Sequence, residues 1–493
     1  MIIQDVVSLF LDRAAARPDH LAIGGRGRTL TYAALEQRVR HFAAVFARVA
    51  NPRVLIGLPQ GADAYAAMFA AGLAGGYYAP LNTAAPVEKL CRIAGLLQPD
   101  IILATPALRA SLAGAAPKAT VLDPAALPDV PLFAGHGSRH PMGYVMFTSG
   151  STGLPKGVMV SRTALNHYVS WAIDADIVRP EDLVSQHPNI AFDVSVTDIY
   201  GALCQGATLF PIAGASDRLM PSRMIQREGI TVWNSVPSVV NLMMQAGEVT
   251  TAMLRSVRLF NFLGEPLLRE QLRAIFAARP DVAVNNTYGP TEATVSMTHL
   301  RLTASDYEAV CTTSVALGEA IADMGLHLVG GSHPDEGELV ITGPQLADGY
   351  WNDPERSAAV FRPLETGATP QRGYFTGDWG ERRNGLVFFK ERIDFQVKVR
   401  GFRIELDEVA AAIRTCGWPT VCVFKRGEGL AALVERRDSA PLDEAALRLA
   451  MADHIEQHAI PETIRETGQI PRNENDKLEA ILAAEVAPAS TPA

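Results

Sequence analysis

The densest concentration of chemistry in this sequence is Thr148–Gly157, TSGSTGLPKG, directly after the apolar run Gly143–Phe147. Glycines let backbone N–H groups approach an anion without Cβ clashes, hydroxyls add donors, and the lysine adds a point charge. That combination suits phosphate oxygens. It is not a Walker A loop, which needs G-x-x-x-x-G-K-[ST], because Lys156 follows Pro155 and precedes Gly157. A flexible surface loop is the competing reading, and it fits poorly with so many donors behind a buried strand. Other candidates fall away on spacing. His454 and His458 (HIEQH) stand four apart on an expected helix, as zinc-binding histidines do, but the glutamate is third rather than second and no metal is expected there. The loop serines lack a G-x-S-x-G elbow, which removes a hydrolase reading. The five cysteines (91, 204, 311, 416 and 422) form no C-x-x-C pair, so neither a disulfide framework nor a zinc ribbon is indicated.

These residues need a scaffold. Short apolar runs at 54–59, 101–104, 120–123, 144–148, 208–212, 230–234 and 259–263 read as buried strands, with helical patterns at 62–74, 86–97, 221–228 and 267–278 between them. This alternation predicts an α/β protein: a large N-terminal domain over 1–393, of mostly parallel sheets flanked by helices. From about 318 to 393 the segments shorten and become turn-rich, predicting a β-rich subdomain. Residues 394–493 read as a small α+β C-terminal domain, with 485–493 a frayed tail. The uncharged stretch Ala64–Leu81 raises the question of a membrane span, but Gly72, Gly75 and Gly76 would break a single helix, and a buried helix running into a buried strand is expected. The N-terminal 20 residues have the spacing of an amphipathic helix rather than a signal peptide. With 44 Lys plus Arg against 53 Asp plus Glu, the net charge is −9, a poor balance for neutralising nucleic-acid phosphates. A cytoplasmic protein that binds neither nucleic acid nor membrane is expected.

TSGSTGLPKG resembles the signature loop of the adenylate-forming enzymes: acyl-CoA synthetases, luciferases and adenylation domains of nonribosomal peptide synthetases. That family's other motifs follow in order: AFDVSVTDIY at 191–200, NTYGPTE at 286–292, GELVITGPQLADGYW at 337–351, YFTGDW at 374–379, ERIDFQVKVRGFRIELDEV at 391–409 and PRNENDKLE at 471–479. The resemblance implies ATP and Mg²⁺ as cofactors and a first half-reaction joining a carboxylate to the α-phosphate of ATP, with loss of pyrophosphate. Little covalent chemistry is then asked of the protein beyond positioning and charge stabilisation. By the same resemblance, Thr148, Ser149, Gly150, Ser151, Thr152, Gly153 and Lys156 hold the β- and γ-phosphates. Tyr288 stacks on adenine, Thr291 touches the α-phosphate, Glu292 holds Mg²⁺, and Asp378 accepts the ribose hydroxyls with Arg392 nearby. Lys477 is the implied catalytic lysine. Asp394 is the implied hinge about which the C-terminal domain rotates between half-reactions, and Gly401 would line a tunnel for a pantetheine arm. The chain departs from the pattern at Glu391, where the family has Gly, and at Asp476, where Asn475-Asp476-Lys477 replaces Asn-Gly-Lys. An inactive homologue would lack one of the catalytic lysine, glutamate or aspartate residues; all are present.

Asp193 decides the branch. In amino-acid-activating members an Asp here pairs with the substrate's α-ammonium; the competing reading is a helix N-cap. Aligned on the motifs, the remaining pocket positions are Val194, Thr197, Asn234, Asn261, Leu263, Thr287, Val295 and Ser296. Their hydroxyls and amides form a polar wall with no charge other than Asp193. A large apolar side chain would leave those groups unpaired at about 1–3 kcal/mol each. A small polar amino acid is expected, such as serine, threonine, asparagine or 2,3-diaminopropionate. NSVPS, FLGEPL and NTYGPTEATV also resemble stand-alone D-alanine-activating enzymes, so alanine of either hand is the alternative, and an acyl-CoA synthetase for a non-amino acid is another. No phosphopantetheine site follows Lys477, so the expected acceptor is the thiol of a separate carrier protein, ahead of free coenzyme A.

Overall fold

The computed structural model describes residues 3–25, 29–135, 140–148, 155–212, 214–365, 369–393, 396–436, 441–468 and 470. By contacts the chain divides into two compact units. One comprises Met1–Asn82, Leu97–Phe147 and Gly157–Ile393; the other comprises Thr83–Leu96, Thr148–Lys156 and Asp394–Ala493. The division is therefore not contiguous, whereas a single cut at 393/394 was expected from sequence.

The first unit is mixed α/β. A nine-stranded sheet carries a parallel centre formed by Leu183–Gln186, Thr208–Pro211, Val232–Ser235, Leu259–Phe262 and Ala283–Tyr288, with antiparallel strands at its edges. A seven-stranded sheet has Arg53–Gly57, Tyr77–Pro80, Ile101–Ala104, Thr120–Leu122 and Met142–Thr148 in parallel. Alternation sends Trp233, Phe260 and Val284 into one core with the helices Pro221–Glu228, Ser238–Gln245 and Arg269–Ala278. Val232 and Leu259 face the opposite way, into a core shared with Tyr144, Val196 and Ile199. The expected strands and helices fall within a few residues of these bounds.

Ala62–Leu73 is a buried helix followed by the buried strand Tyr77–Pro80. Nine of its twelve residues are buried, Tyr65, Met68 and Phe69 among them, which is why it reads as almost continuously apolar. Among the described residues no helix is long and apolar enough to cross a membrane. Near the N-terminus, Val6–Ala16 is a helix capped by the Asp5 carboxylate, which accepts from Ser8 N–H. A separate antiparallel five-stranded sheet spans Gly325–Arg392 and is the β-rich part.

The second unit contains the hairpin Gln396–Val399/Phe402–Glu405, the helix Leu406–Thr415, and a three-stranded sheet of Val421–Arg426, Gly429–Glu435 and Thr463–Thr467. The helix expected to carry both histidines is absent. The Glu444–Met451 helix ends first, and His458 lies in the short 3₁₀ turn Gln457–Ala459. There its ring stacks on Phe402 with centroids 3.6 Å apart.

Candidate active site

The best-defined part of the site is built on the long strand Gln371–Arg383. The Asp378 carboxylate is 2% exposed and receives two donors. Tyr288 Oη donates to Oδ2 at 2.6 Å, and Arg392 Nη1 donates to Oδ1 at 2.7 Å. Arg392 is in register with Asp378 on the neighbouring strand, and its Nη2 also reaches the Thr376 carbonyl. Thr376 Oγ1 accepts from Asp378 N–H and donates to the Leu339 carbonyl. Burial, reinforced by the Asp378 charge, pushes the Tyr288 hydroxyl well above its usual pKa. The hydroxyl therefore stays a donor. Each carboxylate oxygen keeps further lone-pair capacity for a ligand hydroxyl.

Tyr288 ends the strand Ala283–Tyr288, and the chain then turns sharply through Gly289-Pro290 into the 3₁₀ turn Thr291–Ala293. A Cβ at Gly289 would lie 2.5 Å from Ser296 Cα, so only glycine lets the returning chain approach. Thr294 and Val295 then take left-handed backbone conformations, with φ of 54° and 72°. For a β-branched valine that is a strained geometry, and it is held where the sequence places pocket residues. Glu292 is fully buried, and its Oε1 accepts from Tyr350 Oη at 2.8 Å.

Thr148 closes its strand with Oγ1 buried and unpartnered, a hydroxyl able to donate to an incoming anion. Lys156 Nζ stands 3.7 Å from Glu405 within the second unit, both side chains nearly buried. Ser149, Gly150, Ser151, Thr152, Gly153, Asp394 and Lys477 lie outside the described residues. Gly401 has φ +82°, following Arg400 at +50°, as the two central residues of a tight hairpin turn require. That local demand is a reason for glycine in addition to the tunnel expected from sequence.

Asp193 occupies the N-cap position of the helix Val194–Gln205, but its side chain makes no capping hydrogen bond. Its charge instead bears on two buried tyrosines. Burial, then Asp193, raises the pKa of the Tyr144 hydroxyl; Tyr168 is raised chiefly by burial, with Asp193 contributing. Tyr168 Oη and Thr197 Oγ1 are 2.7 Å apart, while Ser296 Oγ donates to Thr287 Oγ1 at 3.3 Å and Thr287 Oγ1 to the Phe262 carbonyl. Asn234 and Asn261 are direct register partners on adjacent strands, and both are buried.

Sequence reasoning missed Tyr144, Tyr168 and Tyr350, which come from elements remote in the chain. It also missed Asn285 and Asp198, for which a signal existed. Asn285 is register partner of Asn261 and two residues before Thr287, hence on the same strand face. Asp198 follows Val194 by four, which puts it on that residue's side of the helix. A second carboxyl, that of Asp198, is fully buried further along the same helix, and burial pushes it well above the usual carboxylate range. His187, just upstream, is a packed histidine beside Trp233, lowered to about 4 by burial and then by the Arg218 charge.

A family model described as AMP-binding enzyme matches residues 10–351. An L-proline–[L-prolyl-carrier protein] ligase of Pseudomonas fluorescens is 32% identical over 506 aligned residues, covering 95% of this chain and 97% of that one. The chain belongs to the AMP-binding enzyme family. A D-alanine–D-alanyl carrier protein ligase of Bacillus mycoides is also 32% identical, over 68% of this chain and 69% of its own. The crystal structure of a Vibrio cholerae adenylation domain, AlmE, in complex with glycyl-adenosine-5'-phosphate superposes with a TM-score of 0.83 at 26% identity, covering 99% and 98% of the two chains. As an AMP-binding enzyme this protein is an adenylate-forming ligase that uses ATP. The resemblance read from its motifs and the α/β architecture expected of it both hold.

Proposed function

We propose that this AMP-binding enzyme activates a small polar α-amino acid as its aminoacyl adenylate and passes the acyl group to the phosphopantetheine thiol of a separate carrier protein. The observation that carries the amino-acid reading is the Asp193 carboxylate. It stands at a helix start without capping it, and its charge bears on the buried phenols of Tyr144 and Tyr168. A carboxylate so placed is matched by an ammonium. The printed descriptions of the relatives, which name D-alanine and L-proline carrier-protein ligases and a glycyl adenylate, support both the amino acid and the carrier.

In the first step a substrate carboxylate oxygen attacks the α-phosphorus of ATP, and the bond to the β-phosphate oxygen breaks, releasing pyrophosphate. Asp378, oriented by Tyr288 and Arg392, accepts the ribose hydroxyls and fixes the nucleotide. Thr148 and Lys156, with the hydroxyls of 149–152, take the β- and γ-phosphates. Lys477 steadies the charge that builds between the carboxylate and the α-phosphate. Among the described residues no group of three or more acidic, His or Cys side chains forms a metal cage. The buried carboxylate of Glu292 is a hard oxygen donor of the kind that would hold a magnesium ion. Such an ion would supply neutralisation of phosphate charge. In the second step the carrier thiolate attacks the adenylate carbonyl, AMP leaves, and a thioester remains, the C-terminal domain having turned about Asp394 so that the arm enters past Gly401.

ATP–pyrophosphate exchange with amino acids, aliphatic acids and aryl acids tests the reading. Exchange with small polar amino acids is expected. Exchange only with acids lacking an α-amino group would make the enzyme an acyl-CoA-synthetase-like ligase and remove Asp193 from its assigned role. The D-alanine relative gives alanine as the specific rival, and the same panel with both enantiomers separates the two.

A further inference from the structure

The second unit is assembled from three separate stretches of chain, and each of the two shorter ones supplies a lysine to carboxylates of the longest. Lys89, on the helix Val87–Leu97, places Nζ 3.0 Å from Glu408 Oε1 and 2.8 Å from Glu456 Oε2, the three side chains being 11%, 12% and 16% exposed. Burial acts to lower the Lys89 pKa, and the two carboxylates more than offset it, so the ammonium stays charged. Lys156 meets Glu405, whose carboxylate also accepts from Gln396 Nε2. Glu405 is the N-cap residue of the helix Leu406–Thr415 and Glu408 lies in its first turn, so one helix start serves both lysines. Glu456 precedes the 3₁₀ turn whose His458 stacks on Phe402, which ties it to the strand that carries Glu405.

Chain connectivity gives these contacts a meaning beyond packing. The strand before Lys89, Tyr77–Pro80, and the strand after it, Ile101–Ala104, both pair with Arg53–Gly57 in the seven-stranded sheet. Lys156 opens Lys156–Ser161, another strand of that sheet. Both lysines are therefore anchored along the backbone to that sheet, whereas Glu405, Glu408 and Glu456 belong to the segment Asp394–Ala493. Any turn of this segment about Asp394 has to part the lysines from the glutamates. Parting nearly buried opposite charges is costly unless other charges take their place. For Lys156 the replacement is at hand, because it is assigned to the β- and γ-phosphates. Glu405 and the nucleotide compete for one ammonium, so the contacts seen here belong to an arrangement that the phosphates have left.

We infer that Lys89 is a positioning residue for the second half-reaction. With Glu408 and Glu456 it clamps the C-terminal domain in the arrangement that follows pyrophosphate release, Glu405 taking over Lys156 as the phosphates leave. ATP has to break the clamp in order to bind, and loss of pyrophosphate lets it form again. The inference rests on the two-step reading above and deepens it, by naming what holds the enzyme in its transfer arrangement. It predicts an unusual sign. Removing an ion pair from the clamp favours nucleotide binding, because the arrangement that competes with ATP is the one weakened.

Calorimetry of α,β-methylene-ATP with Mg²⁺ on the full-length enzyme tests this. Lys89→Met and Glu456→Gln are each expected to bind the nucleotide about threefold to tenfold more tightly than the wild type. Pyrophosphate exchange, with whichever acid supports it best, is expected to stay within about threefold of the wild type. Transfer of the acyl group to pantetheine as a soluble thiol, read as thioester by mass spectrometry, is expected to fall about fivefold or more. Glu456→Gln retains Lys89 with Glu408 as its counter-ion, so it decides the matter where Lys89→Met, which leaves two carboxylates face to face, does not fold. Nucleotide affinity that is unchanged or weaker in the folded variant would overturn the inference. So would exchange and transfer falling by one common factor, which would make Lys89 a structural residue only. The affinity comparison involves neither acid nor acceptor. Exchange confined to acids without an α-amino group would therefore remove the amino-acid reading and leave the clamp standing, whereas a wild type that binds no nucleotide would remove both.

Discussion

Replacing Tyr288 with phenylalanine keeps the ring assigned to adenine stacking and deletes only the hydroxyl that donates to Asp378 at 2.6 Å. A short hydrogen bond to a buried carboxylate contributes a net of about 1.5–3 kcal/mol. Spent wholly on nucleotide affinity, that is about 10- to 150-fold. Less is expected, because Arg392 still holds Oδ1 at 2.7 Å and Thr376 still fixes the backbone. The direction has to be argued, since Tyr288 and a ribose hydroxyl both approach Asp378. A carboxylate has about four lone-pair sites, and Tyr288 and Arg392 use two, so the ribose does not need to displace the phenol. The hydroxyl therefore orients the acceptor rather than competing for it. Tyr288→Phe is expected to raise KM for ATP about tenfold, with kcat within threefold, in pyrophosphate exchange at saturating amino acid. Asp378→Asn should cost more, because it also leaves the Arg392 charge uncompensated in a buried site. A KM for ATP that is unchanged or lower in Tyr288→Phe would show that the phenol is spectator or competitor, and the proposed ribose site would be wrong.

Asp193→Ala is expected to lower kcat/KM for the amino acid at least 100-fold while leaving ATP binding by calorimetry within twofold; an equal loss of both would make Asp193 a structural residue. Lys477→Ala should cut exchange about 100-fold or more with ATP affinity retained, and an unchanged rate would return that lysine to the surface. Acid should weaken the second unit through His458. Its imidazole, buried against Phe402 with Glu456 and Lys89 alongside, is lowered to about 4, so the unfolded chain binds more protons between about pH 4 and 6.5. Stability present above pH 6.5 is then lost as the pH falls, by up to about 3 kcal/mol. Urea unfolding of His458→Phe should show a smaller loss between pH 7 and 5 than the wild type, and an identical loss would dismiss this histidine as the cause.

What the sequence made legible and what it hid divide along physical lines. The parallel strands were readable because both faces are buried, giving runs such as Ile101–Ala104 with little alternation. Tyr288, Glu292, Asp378 and Arg392 were readable because each sits in a compact motif, and the structure joins three of them through direct hydrogen bonds. The pair His454/His458 misled because four-residue spacing implies a helix only where the helix persists, and here it ends at Met451. Asp198 was hidden for the opposite reason. The two charges of SVTDIY and FDVS look alike in one dimension, and helical phase alone does not say whether a carboxyl finds a partner. Its meaning emerges only when the registered strands bring Asn234, Asn261 and Asn285 beside it and none of them satisfies it. A buried acid without a partner is costly in a core, and that it stands beside equally unpaired carboxamides is a consequence of strand register that no linear spacing displays.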